Sequence, residues 1–571
     1  LSGCRCVAQY LRIKWTNVEN ERMVATSMLR LLGDPELPVR VQAGCALASL
    51  FKNGTQAMLQ VIGNVLRDVV KGYLTLMQEI AVDDVFEALQ VLIARFSGRM
   101  GPMAADLLQN LTQAFMRFYN DDDDDDDEYA ETSMAAVDCI SAINQLLIAL
   151  SEGDDSLAMI RNTTPSVMPM IHVVFTGGEE GKEKHDVDTM DYLQSALETI
   201  RIITYHGKFV PPQLWQYVPY MYEIFNDWAI DYVVEFSGTL ENMIQYDPRG
   251  FLEIHTKRNE EFGKSNLEMV LSMVETALEN EEVQESEKTF AVVMLHILVQ
   301  SCLGKIDPLI PSFVALSLKH LGNAEKTHYK VNLLALIESC IYYNPILAIR
   351  AIGENNLKPF FEVWFENIDA HYALAEQKIA LCALCCFLKF SPSDLPAFIN
   401  QIRPQILSKI VVLLKQIDAI KKNVESYKAE KEKEREKKKT RDENFINDYE
   451  DDDSDDEDVF GRNLPKDVPE DKDVVSSEGV ENIKATQKKL NSLFGDSTEK
   501  DDKDDAAVLG GEYEFDDSEG TESYEGEVDD DVDSPLDIID EFVYLQTCVA
   551  EAPPEAQQAF KDAAVPLPAE I

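Results

Sequence analysis

Residues 23–51 read MVATSMLRLLGDPELPVRVQAGCALASLF, and this stretch decides the fold. Apolar residues recur at the spacing of one helix face from Val24 to Leu31, and a second periodic run begins at Val39. Between the two runs, Gly33-Asp34-Pro35 is typical of the end of one helix and the start of the next. The stretch therefore predicts two antiparallel helices joined by a short turn.

Small residues between Ala43 and Ala48 would let a neighbouring helix approach the second helix closely. Together with Asp34 and Arg40, which in such repeats form a ladder between neighbours, they make the stretch resemble a HEAT repeat. An ordinary helical hairpin stays open for this stretch alone. The same rhythm continues to Ile420, a length that holds about nine or ten repeats of ~40 to 47 residues. The predicted fold class is all-α, a HEAT-repeat α-solenoid with a long concave surface.

Charge divides the chain into a body and an acidic region. Of the net charge of −51, residues 441–571 carry −32, from 42 acidic and 10 basic residues. We expect three regions: a solenoid over residues 1–427, a charged helix with an acidic disordered linker over 428–533, and a C-terminal helical element over 534–571. Segments with many charges and few apolar residues cannot bury enough apolar area to fold, which is why we expect the linker to be disordered.

Two polar insertions interrupt the rhythm of the solenoid, at residues 121–128 and 177–188. The first is an unbroken run of aspartates closed by a glutamate. Such a run raises the local electric field and the association rate of basic proteins. A loop that only increases solubility is the alternative explanation.

The overall composition excludes several classes of protein. With 52 basic and 103 acidic residues, the chain would be repelled by phosphates, so no direct binding of nucleic acid is expected. No apolar run approaches the ~18 residues of a membrane span, and the longest is residues 379–388, so we expect a soluble protein with no membrane contact. Ten cysteines and no signal peptide indicate a reducing compartment. Because the chain opens on Leu1 within a helical pattern, we expect that an N-terminal part is missing.

No catalytic or metal-binding constellation is found, so we expect neither an enzyme nor a cofactor. The eight histidines are scattered, and His296 lies in an apolar helix, where a hydrogen-bonded core histidine is expected. Cys382, Cys385 and Cys386 lie in the apolar run of residues 379–388 and are predicted to be buried thiols rather than zinc ligands.

Three signals follow the solenoid. Residues 428–439 contain only charged residues and one alanine, which predicts a solvated helix, although Lys437-Lys438-Lys439 leaves a targeting signal open. Ser454 lies among acidic residues that suit an acid-directed kinase. Ser534-Pro535 predicts the start of a closing helix that docks on the solenoid, with Ser534 as its cap.

Three groups of residues, in chain order, resemble the importin-β family, and specifically the C-terminal half of its importin seven/eight branch. They are residues 34–41 with Ala43 and Ala46-Leu47, then residues 212–215 with Phe225 and Asp231-Tyr232, then residues 342–345. The acidic region followed by residues 534–537 and a closing helix also matches the layout of that branch.

The resemblance implies a nuclear import receptor that shuttles between cytoplasm and nucleus. It implies basic protein cargo such as ribosomal proteins and histones, contact with Phe-Gly repeats of nucleoporins, and cargo release by Ran-GTP. The main Ran site of the family lies near its N-terminus, which this chain does not show. The candidate contacts for cargo or Ran are the residues of the acidic insertion, namely Asp121, Asp122, Asp123, Asp124, Asp125, Asp126, Asp127 and Glu128.

A protein of another class would share much of this pattern. A HEAT-repeat scaffold, or an acidic chaperone of histones or ribosomal proteins, would hold basic proteins without crossing the pore. Only the import receptor needs apolar pockets between helices for Phe-Gly repeats, so binding of these repeats separates the two hypotheses.

Overall fold

The computed structural model describes residues 2–10, 17–80, 83–120, 126–153, 155–177, 186–447, 534–555 and 557. Within these ranges the regular elements are helices and none is a strand, which confirms the predicted all-α class. The described parts of Leu1–Phe445 and Val528–Ile571 form one compact unit.

The helices are labelled in chain order. Helices α1 to α12 are Ser2–Tyr10, Val18–Leu32, Leu37–Asn53, Gln56–Asn64, Leu66–Glu79, Asp83–Arg95, Ala104–Tyr119, Asp126–Ser151, Ser156–Thr176, Asp186–Gly207, Val218–Asp227 and Val233–Tyr246. Helices α13 to α23 are Pro248–Glu253, Lys257–Phe262, Asn266–Glu279, Glu285–Ser301, Ile310–Leu321, Thr327–Tyr343, Pro345–Ile352, Glu354–Glu366, Leu374–Cys386, Ala397–Asn447 and Glu541–Glu551.

Most of these helices belong to two layers. Layer B consists of α3, α6, α8, α10, α12, α16, α18, α21 and α23, and each of them contacts the next one in this order. Layer A contains α2, α5, α7, α9, α11, α15 and α17, and the pairs α2 with α3, α5 with α6, α7 with α8, α9 with α10, α15 with α16 and α17 with α18 pack together. The fold is therefore a stack of helix pairs, each buried against its neighbours.

Neighbouring helices of layer B run in the same direction. Near the start of α8 and α10, the Ser133 hydroxyl lies 3.1 Å from the Asp191 carboxylate. Further along the same two helices, the Thr199 hydroxyl lies 2.6 Å from the side-chain oxygen of Asn144. Because both partners advance along the chain together, the N-terminal ends of these helices lie at the same edge of the layer.

The turn that decides the fold differs in one detail from the predicted ladder. The Asp34 carboxylate accepts the Glu36 amide at 2.9 Å and so caps its own turn. Arg40 donates to the Asp34 carbonyl oxygen at 3.0 Å, and its guanidinium pairs with Glu79 of α5. The link to the next repeat is therefore an Arg40–Glu79 ion pair.

The end of the body is one continuous helix. Helix α22 runs from Ala397 to Asn447 and includes residues 428–439. Its apolar side chains from Ile399 to Ile417 belong to the main core. Towards its far part, Lys421 pairs with Glu541 of α23 at 2.7 Å, which connects α22 to α23.

The predicted start of the closing helix at Ser534-Pro535 is wrong. Helix α23 begins at Glu541, and its cap is Asp540, which accepts the Val543 amide at 2.9 Å. Residues 534–539 instead form a turn, because Lys378 binds the carbonyl oxygens of Leu536 and Ile539 at 3.1 and 3.0 Å. A lysine that is distant in sequence thus binds carbonyl oxygens that would accept backbone amides in a continuing helix.

One stretch of α8 corrects the expectation that no segment approaches the length of a membrane span. Ser133–Ser151 has 19 residues and a mean hydropathy of 1.6, enough to span a membrane by length and composition. In the structure, 61% of its window is buried, which is typical of the core helix of a packed fold.

Candidate functional site

The predicted acidic contact residues fall mostly outside the described part of the chain. Asp121 to Asp125 are not described, whereas Asp126, Asp127 and Glu128 are the first residues of α8. Of the insertion at 177–188, Gly177 ends α9 in the left-handed conformation, with φ of 73°, and residues 186–188 begin α10. Ser454 and the rest of 448–533 also lie outside the described residues.

The described helix ends nevertheless show where these three segments attach. Residues 121–125 connect α7 to α8, residues 178–185 connect α9 to α10, and residues 448–533 precede α23. Residues 121–125 and 178–185 therefore each lead into the N-terminal end of a layer B helix, α8 or α10. We call the N-terminal ends of α8 and α10, which begin at Asp126 and Asp186, the acidic edge.

Three segments of the sequence carry a large part of the charge of the chain. Residues 121–128 are eight acids in a row, and residues 177–188 contain five acids and two bases. Residues 448–533 contain 33 acids and eight bases. Clustered charge of one sign attracts ligands of the opposite sign and speeds their association.

Beside this edge, layer B has a side that no helix of the described residues covers. Four apolar side chains are exposed there, one on each of four consecutive layer B helices, α8, α10, α12 and α16. They are Met134, Met190, Val234 and Phe290, with exposed fractions of 55%, 48%, 37% and 39%. We call the uncovered side of these four helices the open face.

Hydrogen bonds between neighbouring residues place the four side chains next to one another. The Ser133–Asp191 contact joins the positions beside Met134 and Met190. Gln194 donates to Glu235 at 3.1 Å, one residue from Val234. Because stacked helices lie about 8–10 Å apart, the four side chains form a line that is roughly 30 Å long.

Partly buried carboxylates accompany the apolar line. Burial raises the pKa of Glu241 to about 7, against the opposing effect of its hydrogen bond with Ser237. Burial likewise raises the pKa of Glu235. The Ser237 hydroxyl lies 2.8 Å from the Phe290 carbonyl oxygen and also contacts the Glu241 carboxylate, so two acceptors share its one hydrogen. A cation brought to this face would favour the charged form of these carboxyls.

A second surface lies in layer A, where α7 and α9 leave a groove of about 500 Å³ between them. The residues that line it are Gln109, Thr112, Gln113, Met116, Pro165, Ser166 and Pro169.

Polar groups without hydrogen-bond partners among the described residues lie in the two helices that form the groove. Thr112 is 5% exposed, and its hydroxyl makes no hydrogen bond to any other described residue. Pro165 and Pro169 lie inside α9 and have no N–H, so the carbonyl groups of Arg161 and Pro165 lose their usual helix donors. The groove therefore suits an apolar side chain on an extended backbone.

The two side-chain groups considered as metal or catalytic candidates are buried. Burial lowers the pKa of His296 to about 4, against the opposing effect of a hydrogen bond with the Asn332 side chain. Cys382, Cys385 and Cys386 are buried as predicted, and burial raises the pKa of Cys385 well above its usual value. Among the residues with a described structure, no group of three or more His, Cys, Asp or Glu is placed to hold a metal ion.

Sequence reasoning did not identify the open face or the groove. Met134 and Phe290 look like members of a helix core in the sequence, and only the stacking order shows that they face outward. The two prolines inside one helix, Pro165 and Pro169, were a usable signal for the groove, because interior prolines free carbonyl groups.

Stacked helix pairs define an all-α repeat protein. Comparison with known proteins finds relatives of this class. The chain is 26% identical over 468 residues to the probable importin-7 homolog of Dictyostelium discoideum, covering 80% of this chain and 41% of that protein. It is 24% identical over 435 residues to importin-8 of Homo sapiens, covering 74% of this chain and 39% of that protein.

These relatives confirm the resemblance, and the chain fits a member of the importin-β family. The relatives are importins, which are transport receptors and not enzymes. The chain spans about two fifths of the length of these two relatives. The solved structure of yeast importin-β (Kap95p) aligns with a TM-score of 0.42 at 13% identity, over 69% of this chain and 44% of that chain. No protein-family model matches.

Proposed function

We propose that this chain is part of a nuclear transport receptor that carries protein cargo through nuclear pores and shuttles between cytoplasm and nucleus. The observation that carries the proposal is the similarity to importins, which extends over 80% of the chain for one relative. The stacked helix pairs support it, because such arrays present extended surfaces to large ligands.

The proposed cargo is basic protein, with ribosomal proteins and histones as the expected classes. The acidic edge supports this proposal through its charge, and the open face supports it through the partly buried carboxyls of Glu235 and Glu241. Since exposed charges are screened beyond about 8 Å at physiological salt, cargo affinity should fall as salt rises.

The proposed docking site for a Phe-Gly repeat is the groove between α7 and α9. An aromatic ring would contact Met116 and Pro169, which lie on opposite helices of the groove. The volume of about 500 Å³ exceeds what one phenylalanine needs, so the flanking backbone would also enter.

Ran-GTP is proposed as the partner that releases the cargo. The candidate contacts within this chain are residues 121–128, and the main Ran site would lie in a part of the receptor that this chain does not include. Titrating Ran-GTP into a complex of the chain with a histone would test whether this part alone responds. Release of the histone would support a Ran contact here, and an unchanged complex would remove it.

The proposed function is tested by binding of the purified full chain to an immobilised Phe-Gly repeat fragment. Met116→Glu places a charge in the groove and should weaken binding about tenfold or more, while histone binding stays unchanged. Met23→Glu is the matched control, because Met23 is 61% exposed and lies outside the groove.

The same binding measurement distinguishes the transport receptor from the alternative function. A scaffold or acidic chaperone of histones or ribosomal proteins is favoured by one observation, the charge of the acidic edge. Histone binding without any binding of Phe-Gly repeats would overturn the transport proposal in favour of this alternative. Equal weakening by Met116→Glu and Met23→Glu would overturn only the assignment of the groove.

A further inference from the structure

The C-terminal segment covers the part of layer B that follows the open face. We call residues 534–552 the closing segment. Leu536 is 1% exposed and packs with Ala335 of α18 and Ile379 of α21. The ammonium group of Lys378, which is 4% exposed, donates hydrogen bonds to the carbonyl oxygens of Leu536 and Ile539.

The turn of the closing segment is built around Ser534. The Ser534 hydroxyl oxygen accepts the Leu536 amide at 3.2 Å, and the Ser534 amide donates to the Asp537 carboxylate at 2.8 Å. The Asp537 amide donates back to the Ser534 carbonyl oxygen at 2.9 Å. Ser534 is 7% exposed, so its hydroxyl has no room for a larger group while the turn is docked.

Ser534 is followed by Pro535, the dipeptide that proline-directed protein kinases recognise. We propose that Ser534 is a phosphorylation site and that its phosphate keeps the closing segment off α18 and α21. In the reaction, the Ser534 oxygen forms a bond to the γ-phosphorus of ATP. The bond from that phosphorus to the bridging oxygen breaks, ADP leaves, and the hydroxyl proton passes to the catalytic carboxylate of the kinase.

The phosphate is incompatible with the docked turn for two reasons. It adds a charge of about −1.5 to −2 beside the Asp537 carboxylate, which already binds the Ser534 amide, and like charges at this distance repel. It also needs space at a side chain that is 7% exposed, and it is attached to the hydroxyl oxygen that accepts the Leu536 amide. Lys378 does not compensate, because two carbonyl groups already occupy it.

The closing segment is able to detach without unfolding the stack. Its buried residues are few, chiefly Leu536, Glu541, Leu545 and Cys548, and the 86 residues before Ser534 give it a long tether. Local opening of such a unit costs less free energy than global unfolding. The kinase would therefore act on the detached state, and the phosphate would prevent return.

Detachment changes the binding surface as well. It uncovers Ala335, Ile379 and the partly buried Tyr342, which lie under the turn in the docked state. Apolar surface on α18 and α21 would then be exposed in addition to the open face. Phosphorylation of Ser534 would thus enlarge the surface available to a partner.

The test is phosphorylation of the full chain by a proline-directed kinase with ATP, followed by mapping of the phosphate by mass spectrometry. Mapping is needed because Thr164-Pro165 and Ser391-Pro392 contain a related dipeptide. Leu536→Ala weakens docking and should raise the rate at Ser534 at least about tenfold. Ile538→Ala is the matched control, because Ile538 is 92% exposed on the same turn, and its rate should equal that of the wild type.

A synthetic peptide of residues 526–545 reports the rate at a fully accessible Ser534, and Ser534→Ala should remove the mapped phosphate. In the phosphorylated chain, amide hydrogens of α23 should exchange at least about tenfold faster, with those of α10 unchanged. No phosphate on the peptide, equal rates for wild type and Leu536→Ala, or unchanged exchange of α23 after phosphorylation would each overturn the proposal.

Discussion

The open face and the covered region of α18 and α21 belong to the same layer, yet one exposes apolar side chains and the other is covered by the closing segment. In α8 and α16, Met134 and Phe290 are exposed. In α18, every residue from Val331 to Ile341 is buried, and Leu536 of the closing segment lies over Ala335. Layer B thus exposes apolar side chains in its middle, whereas near its end the closing segment of the same chain covers it.

The covered region also contains what the open face lacks, a fully buried pair of ionisable groups. The His371 ring lies 3.0 Å from the Glu338 carboxylate, and both side chains are 0% exposed. The other ring nitrogen lies 3.0 Å from the Asn367 carbonyl oxygen. The open face has its carboxyls at the border of solvent, where a partner can reach them.

The largest expected effect comes from breaking this buried pair. His371→Ala leaves the Glu338 carboxyl buried without its partner and should lower the free energy of unfolding of the C-terminal part by about 3–5 kcal/mol. Hydrogen exchange of the α18 amides measures this loss of free energy of unfolding. His328→Ala on the exposed start of α18 is the control and should change exchange little. Similar losses in both variants would show that the pair is unimportant.

The same pair predicts a pH dependence. Burial alone would lower the pKa of His371, but the adjacent Glu338 outweighs it and raises the pKa to about 9, above the usual 6.5. The stabilisation is therefore complete below pH 6.5 and is lost as pH rises through about 9. Protection of α18 amides should fall over this window in the wild type and not in His371→Ala.

Leu536→Ala tests how firmly the closing segment is docked on α18 and α21. Removing this buried side chain should cost about 2–4 kcal/mol of docking free energy, seen as faster exchange of α23 amides with α8 to α16 unchanged. Ile538→Ala on the same turn should have no effect. If the two variants behave alike, the closing segment is not held by Leu536.

On the open face, Glu241→Gln should stabilise the chain at alkaline pH. Burial raises the pKa of Glu241 from 4.5 to about 7, so the protonated form is favoured in the folded state, and stability is lost as pH rises from 4.5 through 7. A glutamine keeps a donor for Ser237 and has no charge to bury. We expect a gain of about 1–3 kcal/mol at pH 8 and none at pH 4, measured by denaturant unfolding. An equal gain at both pH values would contradict this cause.

The smallest effect is expected for Phe290→Ala, because this side chain is 39% exposed with no helix of the described residues over it. The free energy of unfolding should change by about 0.5 kcal/mol or less, whereas Phe236→Ala in the adjacent core should cost about 3–5 kcal/mol. A large loss for Phe290→Ala would mean that the open face is covered after all.

Helical periodicity predicted the all-α class and the helix pair of residues 18–53, because each helix buries a continuous apolar face. It also predicted burial of Cys382, Cys385 and Cys386 within an unbroken apolar run. These features depend on local spacing, and local spacing is visible in a sequence.

What could not be predicted depends on which helix lies beside which. Met134 and Phe290 share the apolar character of core residues, and only the uncovered side of layer B makes them surface. The start of α23 was predicted too early because Lys378, more than 150 residues away, takes the carbonyl groups of the turn. The groove between α7 and α9 likewise arises from the distance between two helices.

The contact between α22 and α23 has a consequence for how the chain responds to a cut. Helix α23 is anchored by the Lys421–Glu541 and Lys389–Glu551 ion pairs and by Leu545 in the core, and residues 448–533 connect it to α22 along the chain. A single protease cut in that connection would give two polypeptides on a denaturing gel and one particle in gel filtration. The fragment that contains α23 would behave as a separate subunit of the stack, and its loss by truncation would remove a layer B helix.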